Sequence, residues 1–244
     1  MLGERWSVER LVEELLKDRV YFEKSGGGVT VGGGESTYQA DFVSSLLKKM
    51  KAAGVHTAID TCGQTSKKAL DLILPSTDLV LYDLKEIDSE RHREYTGAGN
   101  EKILENLLHI RDFITANGNP SALWIRTPII PGMTDREDNI RGIGEFIAGR
   151  LADVYTRWEL LAFNNLCEDK YTRLGREWIF KKNMLMTDED MEKLRAAAVS
   201  TGLNPEKVIW TGATRLEQGV QHKEPAGQEK LRLVKGNNYC SPRQ

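Results

Sequence analysis

The stretch from Ser25 to Thr37, SGGGVTVGGGEST, combines six glycines with one carboxylate, Glu35. Glycine tolerates positive φ and lets a ligand approach the backbone, and Val29-Thr30-Val31 between the two glycine triplets favours a buried strand. Glu35 then lies at the carboxyl end of that strand, where parallel α/β folds bind ligands. Backbone amides beside a fixed carboxylate suit a group that both donates and accepts, such as an amino acid. A flexible surface turn is the alternative.

Polar residues also end the strands that follow. They are Asp60 with Thr61, Asp83 with Lys85, Arg126, and Asn164. Because the carboxyl ends of parallel strands meet at one mouth, we expect these residues to converge there with Glu35. Asp83 and Lys85 lie two positions apart, so both side chains point to the same face of an extended segment.

Three of these residues also have a purely structural interpretation. Asp60 suits a helix cap, and Lys85 suits an exposed lysine paired with Glu86. Arg126, within the apolar sequence WIRTP, suits a ligand carboxylate or phosphate. An internal salt bridge from Arg126 to Asp83 fits the sequence equally well.

Histidine and cysteine follow no metal-binding spacing. We interpret His56 as a satisfied strand residue, and His92, within DSERHREYTG, as solvated or part of a lid. The three cysteines, Cys62, Cys167 and Cys240, are odd in number and far apart, which excludes a disulfide framework and fits a reducing compartment. A carboxylate near Cys62 disfavours its thiolate, so a small buried thiol is the preferred interpretation.

Helix and strand patterns alternate along the chain. Apolar periodicity predicts helices over residues 7–19, 38–53, 66–73, 100–117 and 136–150. Short apolar runs predict strands around VTV, at 55–60, at 78–85, in ALWIRTPIIPG ending near Arg126, and in RWELLAFN ending at Asn164. Strands and helices in this order predict an α/β fold with a parallel sheet, either open or a partial barrel. Further on, MTDEDMEKLRAAAVSTG predicts a capped helix and KVIWTGA one more strand.

The composition limits the class of partner. The chain has 244 residues, 34 of them basic and 36 acidic, and a net charge of −2. This balance, without a basic tract, argues against a nucleic-acid partner. The sequence contains no apolar run of about 18 residues and no signal peptide, so we expect no membrane association and a cytoplasmic location.

Several blocks together resemble the activating enzymes of glycyl-radical enzymes, which belong to the radical S-adenosylmethionine (SAM) superfamily and include pyruvate formate-lyase activase. The blocks are SGGGVTVGGGE, HTAIDTCG, DLVLYDLK, His92 with YTG, WIRTPIIPG with Thr134-Asp135, and ELLAFN followed by KYTRLG. The resemblance implies a partial (β/α)6 TIM-like barrel over residues 1–212, followed by a polar tail over 213–244 that contains Cys240. It also implies SAM and a 4Fe-4S cluster as cofactors.

The resemblance also implies an oxidoreductase activity typical of anaerobic metabolism. An electron donor such as flavodoxin or ferredoxin supplies one electron, and SAM is cleaved to methionine and a deoxyadenosyl radical. This radical removes a hydrogen atom from one glycine of the partner, a glycyl-radical enzyme, and becomes deoxyadenosine.

Residue by residue, the resemblance gives each expected site residue a role. Gly33, Gly34 and Glu35 match the family's GGE, which holds the methionine amino group. The other implied cofactor-binding residues are Asp60, Thr61, Asp83, Lys85 and Asn164, and a monovalent cation fits at Asp60, Thr61 and Asp83. The implied catalytic residues are Asp83 and Lys85, which match the DxK facing the cofactor and the incoming glycine, and Arg126, which matches the arginine of IRxPxIPG.

The sequence departs from the family at three points. The family pattern SGGEP reads Gly32-Gly33-Gly34-Glu35-Ser36 here, so we expect a looser loop. Asn164 replaces a histidine that contacts the cofactor in some members; it can donate and accept but cannot titrate. The CxxxCxxC motif that holds the cluster is absent, so we expect the first strand and the cluster loop to be missing, through truncation, a late start codon, an incomplete sequence or a real loss.

The missing motif leaves open what this chain does. As given, the chain is not expected to generate a radical. One alternative is a non-catalytic remnant that binds SAM or the partner's glycine loop. Another is an unrelated β/α enzyme that uses Asp60, Asp83 and Lys85 for acid-base or metal chemistry.

Overall fold

The computed structural model describes residues 4–166 and 168–215, in which strands and helices alternate. The strands are β1 (Gly28–Val31), β2 (His56–Thr61), β3 (Leu79–Asp83), β4 (Ala122–Ile129), β5 (Arg157–Ala162) and β6 (Val208–Thr211). The α-helices are α1 (Val8–Leu16), α2 (Arg19–Ser25), α3 (Ala40–Ala52), α4 (Lys67–Ile73), α5 (Ser89–Thr96), α6 (Glu101–Asn117), α7 (Glu137–Arg150), α8 (Glu168–Arg173) and α9 (Asp188–Val199). Short 3-10 helices cover Ser36–Gln39, Leu74–Ser76 and Pro205–Lys207.

The strands lie in the sheet in sequence order, from β1 to β6. The pairs β1–β2, β2–β3, β3–β4 and β5–β6 are parallel. Helices connect successive strands, as parallel pairing requires. The predicted α/β fold with a parallel sheet is therefore confirmed, and β6 is the additional strand predicted in KVIWTGA.

The chain divides into two compact units. The first contains the residues up to Arg126 together with Gly149–Arg157. The second contains Thr127–Ala148 and the residues from Trp158 onward. The predicted boundary between a barrel and a tail at residue 213 stays a prediction, because Cys240 and most of that tail lie outside the described residues, as does Cys167.

In the first unit, α1 covers the apolar cluster beneath β1. The helix begins where the sequence predicts, because Ser7 Oγ accepts a hydrogen bond of 3.2 Å from Arg10 N. The cluster consists of Val29, Leu46, Met50 and Val55, and the α1 residues that pack on it are Val8, Leu11, Val12, Leu15 and Leu16. This packing gives β1, and the glycine-rich segment after it, a fixed base.

In the second unit, α9 packs on β6. The side chains of Thr187 and Asp190 form a capping box at the start of α9, which confirms the predicted capped helix. Trp158 of β5 is fully buried, and its indole nitrogen donates to Thr127 Oγ1 at 3.0 Å. None of the described helices combines the length and the apolar character needed to cross a bilayer.

Two predictions about local structure were wrong. β4 does not end near Arg126 but continues to Ile129. Every second residue of this strand is buried, and Thr127 and Ile129 continue that series after Arg126. The interpretation of His92 as solvated is wrong: it is 4% exposed on α5, and its Nδ1 lies 2.6 Å from Ala98 O. The alternative, that His92 is part of a lid, stays a prediction. The many charged residues around His92 concealed a short helix in which His92 is buried.

Candidate functional site

The parallel register places three charged residues on one face of the sheet. Asp83 lies directly opposite Arg126, and Asp60 lies opposite Leu81. Leu81 and Asp83 are two residues apart on β3 and therefore share a face. Asp60, Asp83 and Arg126 consequently meet across three neighbouring strands.

Arg126 bridges the two carboxylates. Its Nη2 lies 2.5 Å from Asp60 Oδ1 and 2.9 Å from Asp83 Oδ1, and Lys85 Nζ lies 3.1 Å from Asp83 Oδ2. Burial acts to lower the pKa of Arg126, but the charges of Asp83 and Asp60 and their hydrogen bonds raise it above its ordinary value. The salt bridge between Arg126 and Asp83, one of the two interpretations open from the sequence, is confirmed.

Glu35 joins the glycine-rich segment to the end of β2. Its Oε1 accepts from Thr37 N at 3.1 Å, Thr37 Oγ1 at 2.7 Å and Thr61 Oγ1 at 2.8 Å. Its Oε2 accepts from Cys62 N at 3.0 Å and from the Cys62 thiol at 3.2 Å. Burial acts to raise the pKa of Glu35, but these hydrogen bonds outweigh it and lower the pKa.

Thr61 points away from Asp60. Its register partner on β3 is Tyr82, which is fully buried, so Thr61 lies on the face opposite to Asp60. The Thr61 hydroxyl donates to Glu35 and accepts from Gly63 N at 3.0 Å. The monovalent-cation site implied at Asp60, Thr61 and Asp83 stays a prediction. The guanidinium of Arg126 lies between the carboxylates of Asp60 and Asp83.

Cys62 is a half-buried thiol that donates to a carboxylate. Burial raises the pKa of this thiol, the N–H of Gln64 acts in the opposite direction, and the hydrogen bond to Glu35 raises it further. The interpretation of Cys62 as a small buried thiol holds only in part, because Cys62 is half-buried, but its ionisation is disfavoured as expected. The carboxylate that suppresses its ionisation is Glu35, which is remote in sequence.

These residues line one cavity of about 250 Å³ in the first unit. The lining residues are Gly33, Gly34, Glu35, Asp60, Thr61, Cys62, Asp83, Lys85 and Arg126. Gly33 has a φ of +119°, and a Cβ at Gly33 or Gly34 would meet nothing within 4 Å. The glycine segment therefore leaves its backbone open to a ligand.

Asn164 is the predicted site residue that does not line this cavity. It lies in the second unit beyond the end of β5, it is exposed, and its Oδ1 accepts from Leu166 N at 3.2 Å. Its role stays a prediction.

A second cavity, of about 200 Å³, shares the walls Cys62 and Lys85 with the first. Its other lining residues are Gln64, His92, Thr96, Ala98 and Ile103. This cavity was not predicted from the sequence, because no helix was predicted over α5 and His92 was expected to be solvated or part of a lid. Buried Asn100 and Asn106 were missed as well. Asn106 was detectable, since it is in helical phase with apolar Ile103 and Ile110.

Replacing Glu35 by glutamine should lower the free energy of unfolding by about 1–3 kcal/mol at pH 7, because an amide nitrogen cannot accept the hydrogen bonds of Cys62. The folded-state pKa of Glu35 lies below its ordinary value of 4.5. The stabilisation is therefore complete above that value and is lost as the pH falls through the folded-state pKa. Urea unfolding of both proteins from pH 7 down to about pH 3 measures this.

The control for this prediction is Glu23→Gln, which removes an exposed ion pair with Arg19 on α2. Its effect should be about 0.5 kcal/mol or less. A Glu35→Gln effect that stays constant across the pH range would contradict the assignment of the stabilisation to the ionised carboxylate.

A parallel α/β sheet with charged residues at the carboxyl ends of its strands defines a class of ligand-binding β/α proteins. Comparison with known proteins narrows the class. The model of the radical SAM superfamily matches residues 3–141, and the chain belongs to this superfamily. Within it, the relatives are activating enzymes of glycyl-radical enzymes.

Three of these relatives illustrate the similarity. The chain is 37% identical over 199 residues to choline trimethylamine-lyase activating enzyme of Oleidesulfovibrio alaskensis, covering 80% of this chain and 62% of that protein. It is 36% identical over 193 residues to pyruvate formate-lyase-activating enzyme of Clostridium pasteurianum, covering 79% of this chain and 77% of that protein. A crystal structure of a domain of pyruvate formate-lyase-activating enzyme from Bacteroides vulgatus superposes with a TM-score of 0.61 at 27% identity, covering 77% of this chain and all of that one.

The matched region is only part of several relatives. The chain covers 62%, 55% and 56% of the length of the first three curated relatives. The structure of Streptococcus suis SuiB bound to SAM, at 14% identity and a TM-score of 0.56, shares the fold.

Radical SAM enzymes use SAM and a 4Fe-4S cluster. The polar cavity fits an amino acid head group, because it offers both carboxylates and cations. The cysteines do not fit the cluster: Cys62 is the sole cysteine among residues 4–166 and 168–215, and its thiol is held protonated against Glu35. No group of three or more His, Cys, Asp or Glu side chains in those ranges is arranged to hold a metal ion.

Proposed function

We propose that this chain binds SAM in the cavity at the carboxyl ends of β1 to β4 and serves as the cofactor- and substrate-binding part of a glycyl-radical-enzyme activating protein. The observation that carries the proposal is the charge arrangement of the cavity. SAM carries an ammonium, a carboxylate and a sulfonium, and the cavity presents two carboxylates, Asp60 and Asp83, and two cations, Lys85 and Arg126. Such an arrangement suits a zwitterionic head group.

The residues divide the recognition of SAM between them. The exposed backbone of Gly33 and Gly34 and the carboxylate of Asp60 receive the ammonium group. Lys85 and Arg126 attract the carboxylate. Glu35 lines the same cavity and holds the glycine segment in place.

The partner supplies a glycine as the substrate. Asp83, Lys85 and Arg126 line the cavity, and we assign them to the contact with the incoming glycine segment. An electron-transfer protein such as flavodoxin or ferredoxin would supply the electron in the cytoplasm. The relatives that support this partner are named as activating enzymes of choline trimethylamine-lyase and pyruvate formate-lyase.

This sequence by itself is expected to bind SAM without cleaving it. The reductive cleavage in the family depends on the iron-sulfur cluster, and the cysteines of this sequence do not have the spacing of cluster ligands. The binding activity and the radical activity of the chain can therefore be tested separately.

Isothermal titration calorimetry of the purified chain with SAM should show saturable binding. Lys85→Met should weaken it by about tenfold, since a charge-assisted contact to the carboxylate is lost. Lys102→Met is the matched control, because Lys102 is exposed and does not line this cavity. Absence of saturable binding, or equal effects of the two variants, would contradict the proposed site.

Anaerobic reconstitution with iron and sulfide tests the second expectation. The product should hold no stoichiometric cluster and, with dithionite and SAM, should form no 5′-deoxyadenosine. Four irons per chain together with formation of 5′-deoxyadenosine would show that the chain cleaves SAM unaided.

A further inference from the structure

We propose that α6 positions the two loops that carry Lys85 and Cys62, through two buried asparagines, Asn100 and Asn106. This inference rests on the proposed function only in its final step, the effect on SAM binding. Both loops contribute walls to the two cavities described above, since Lys85 and Cys62 line each of them.

Asn100 holds the loop that follows β3. It is 2% exposed and directly precedes α6. Its Nδ2 donates to Glu86 O at 2.9 Å and to Ile87 O at 2.7 Å. On the other side of Lys85, Leu84 N donates to Arg126 O at 2.9 Å. Lys85 is therefore fixed between two anchored stretches of backbone.

Asn106 holds the loop that follows β2 in the same manner. It is 1% exposed, and it lies between Ile103 and Leu107 on the buried face of α6. Its Nδ2 donates to Gly63 O at 2.8 Å and to Thr65 O at 2.9 Å. Gly63 directly follows Cys62, and Gly63 and Thr65 flank Gln64 in the sequence.

The chemistry explains why asparagine stands at both positions. A buried loop carbonyl needs a donor, and one amide nitrogen offers two N–H groups to two carbonyls at once. Because all four acceptors are carbonyl oxygens, only the amide nitrogen can face them. A helix of 17 residues is a rigid support for both loops.

The two asparagines provide matched controls for each other. Asn100→Asp and Asn106→Asp keep the shape of the side chain but replace the two donors by oxygen, which the carbonyl groups repel. If each residue positions its own loop, each substitution should loosen that loop alone. A general loss of stability would loosen both loops.

Chemical labelling read by peptide mass spectrometry separates these outcomes. Asn100→Asp should increase the rate of acetylation of Lys85 by an N-hydroxysuccinimide ester on the order of tenfold and leave alkylation of Cys62 by iodoacetamide unchanged. Asn106→Asp should give the reverse pattern. Asn100→Ser and Asn106→Ser, which introduce no charge, should repeat each pattern more weakly and serve if an aspartate variant does not fold.

Two results would overturn the inference. One is unchanged labelling in all four variants, and the other is a joint increase at Lys85 and Cys62 in each. Titration of the same variants with SAM tests the effect on binding. The affinity for SAM should fall in the Asn100 variants in proportion to the increase in Lys85 labelling. If the wild-type chain does not bind SAM, the proposed function fails, while the labelling pattern still decides the positioning role.

Discussion

Substitution of Gly63 by alanine should lower the free energy of unfolding by about 3–5 kcal/mol and leave little folded protein at 37 °C. Gly63 has a φ of +73°, and a Cβ at this position would lie 1.7 Å from Tyr82 Oη. Tyr82 is fully buried and donates a 2.6 Å hydrogen bond to Ile103 O, so it cannot move aside without breaking this bond and opening the core. Urea unfolding followed by circular dichroism measures the effect.

Gly54→Ala separates steric overlap from backbone strain. Gly54 has a similar φ of +76°, but a Cβ there would meet nothing within 4 Å. Its substitution should cost only about 1–2 kcal/mol, the price of the left-handed conformation. Equal losses for the two variants would show that the contact with Tyr82 does not constrain Gly63.

Replacing Arg126 by leucine should lower the free energy of unfolding by about 1–3 kcal/mol at pH 7. The guanidinium is the cation between Asp60 and Asp83, and without it the two carboxylates repel each other. The expected loss of stability is smaller than that for breaking a fully buried ion pair, because the side chains of Arg126, Asp60 and Asp83 are 17%, 33% and 23% exposed. The measurement is again urea unfolding.

Two further variants test whether charge causes this loss. Arg126→Leu combined with Asp60→Asn should recover part of the stability, because only one of the two facing carboxylates remains. Arg19→Leu, which breaks the exposed pair with Glu23, should cost about 0.5 kcal/mol or less. If the double variant is less stable than Arg126→Leu alone, repulsion between the carboxylates is not the cause.

The strands and most helices were predictable because their apolar periodicity is local information. The segments that give β2 and β3 are short apolar runs bounded by turn residues, and the structure places strands there. The end of β4 was not predictable in the same way. Pro128 and the polar Arg126 and Thr127 before it favour the end of a strand, and only burial of Thr127 and Ile129 against the rest of the fold extends the strand.

The convergence of the charged residues on one cavity was predictable, but their individual contacts were not. The rule that the carboxyl ends of parallel strands converge brings Glu35, Asp60, Asp83, Lys85 and Arg126 to one cavity, as expected. The hydrogen-bonding or ionic partner of each residue depends on the register between strands and on the face of the sheet to which its side chain points. Neither is encoded in the sequence of one strand.

Contacts between residues distant in sequence account for what the sequence did not reveal. Glu35 bonds Cys62, 27 positions away, and Asn106 bonds Gly63, 43 positions away. Burial of Asn100 and of His92 likewise depends on the packing of neighbouring elements. Their polar character favours exposure when the sequence is read alone.

Positions in the glycine-rich segment differ in whether their backbone requires glycine. Gly32 stands where the family pattern has serine, and a Cβ there would lie 3.6 Å from Asp60 Cβ, an ordinary van der Waals distance. Its backbone does not need positive φ, unlike that of neighbouring Gly33. The family's serine would therefore find room for its Cβ at position 32, so the fold itself demands glycine at position 33 but not at position 32.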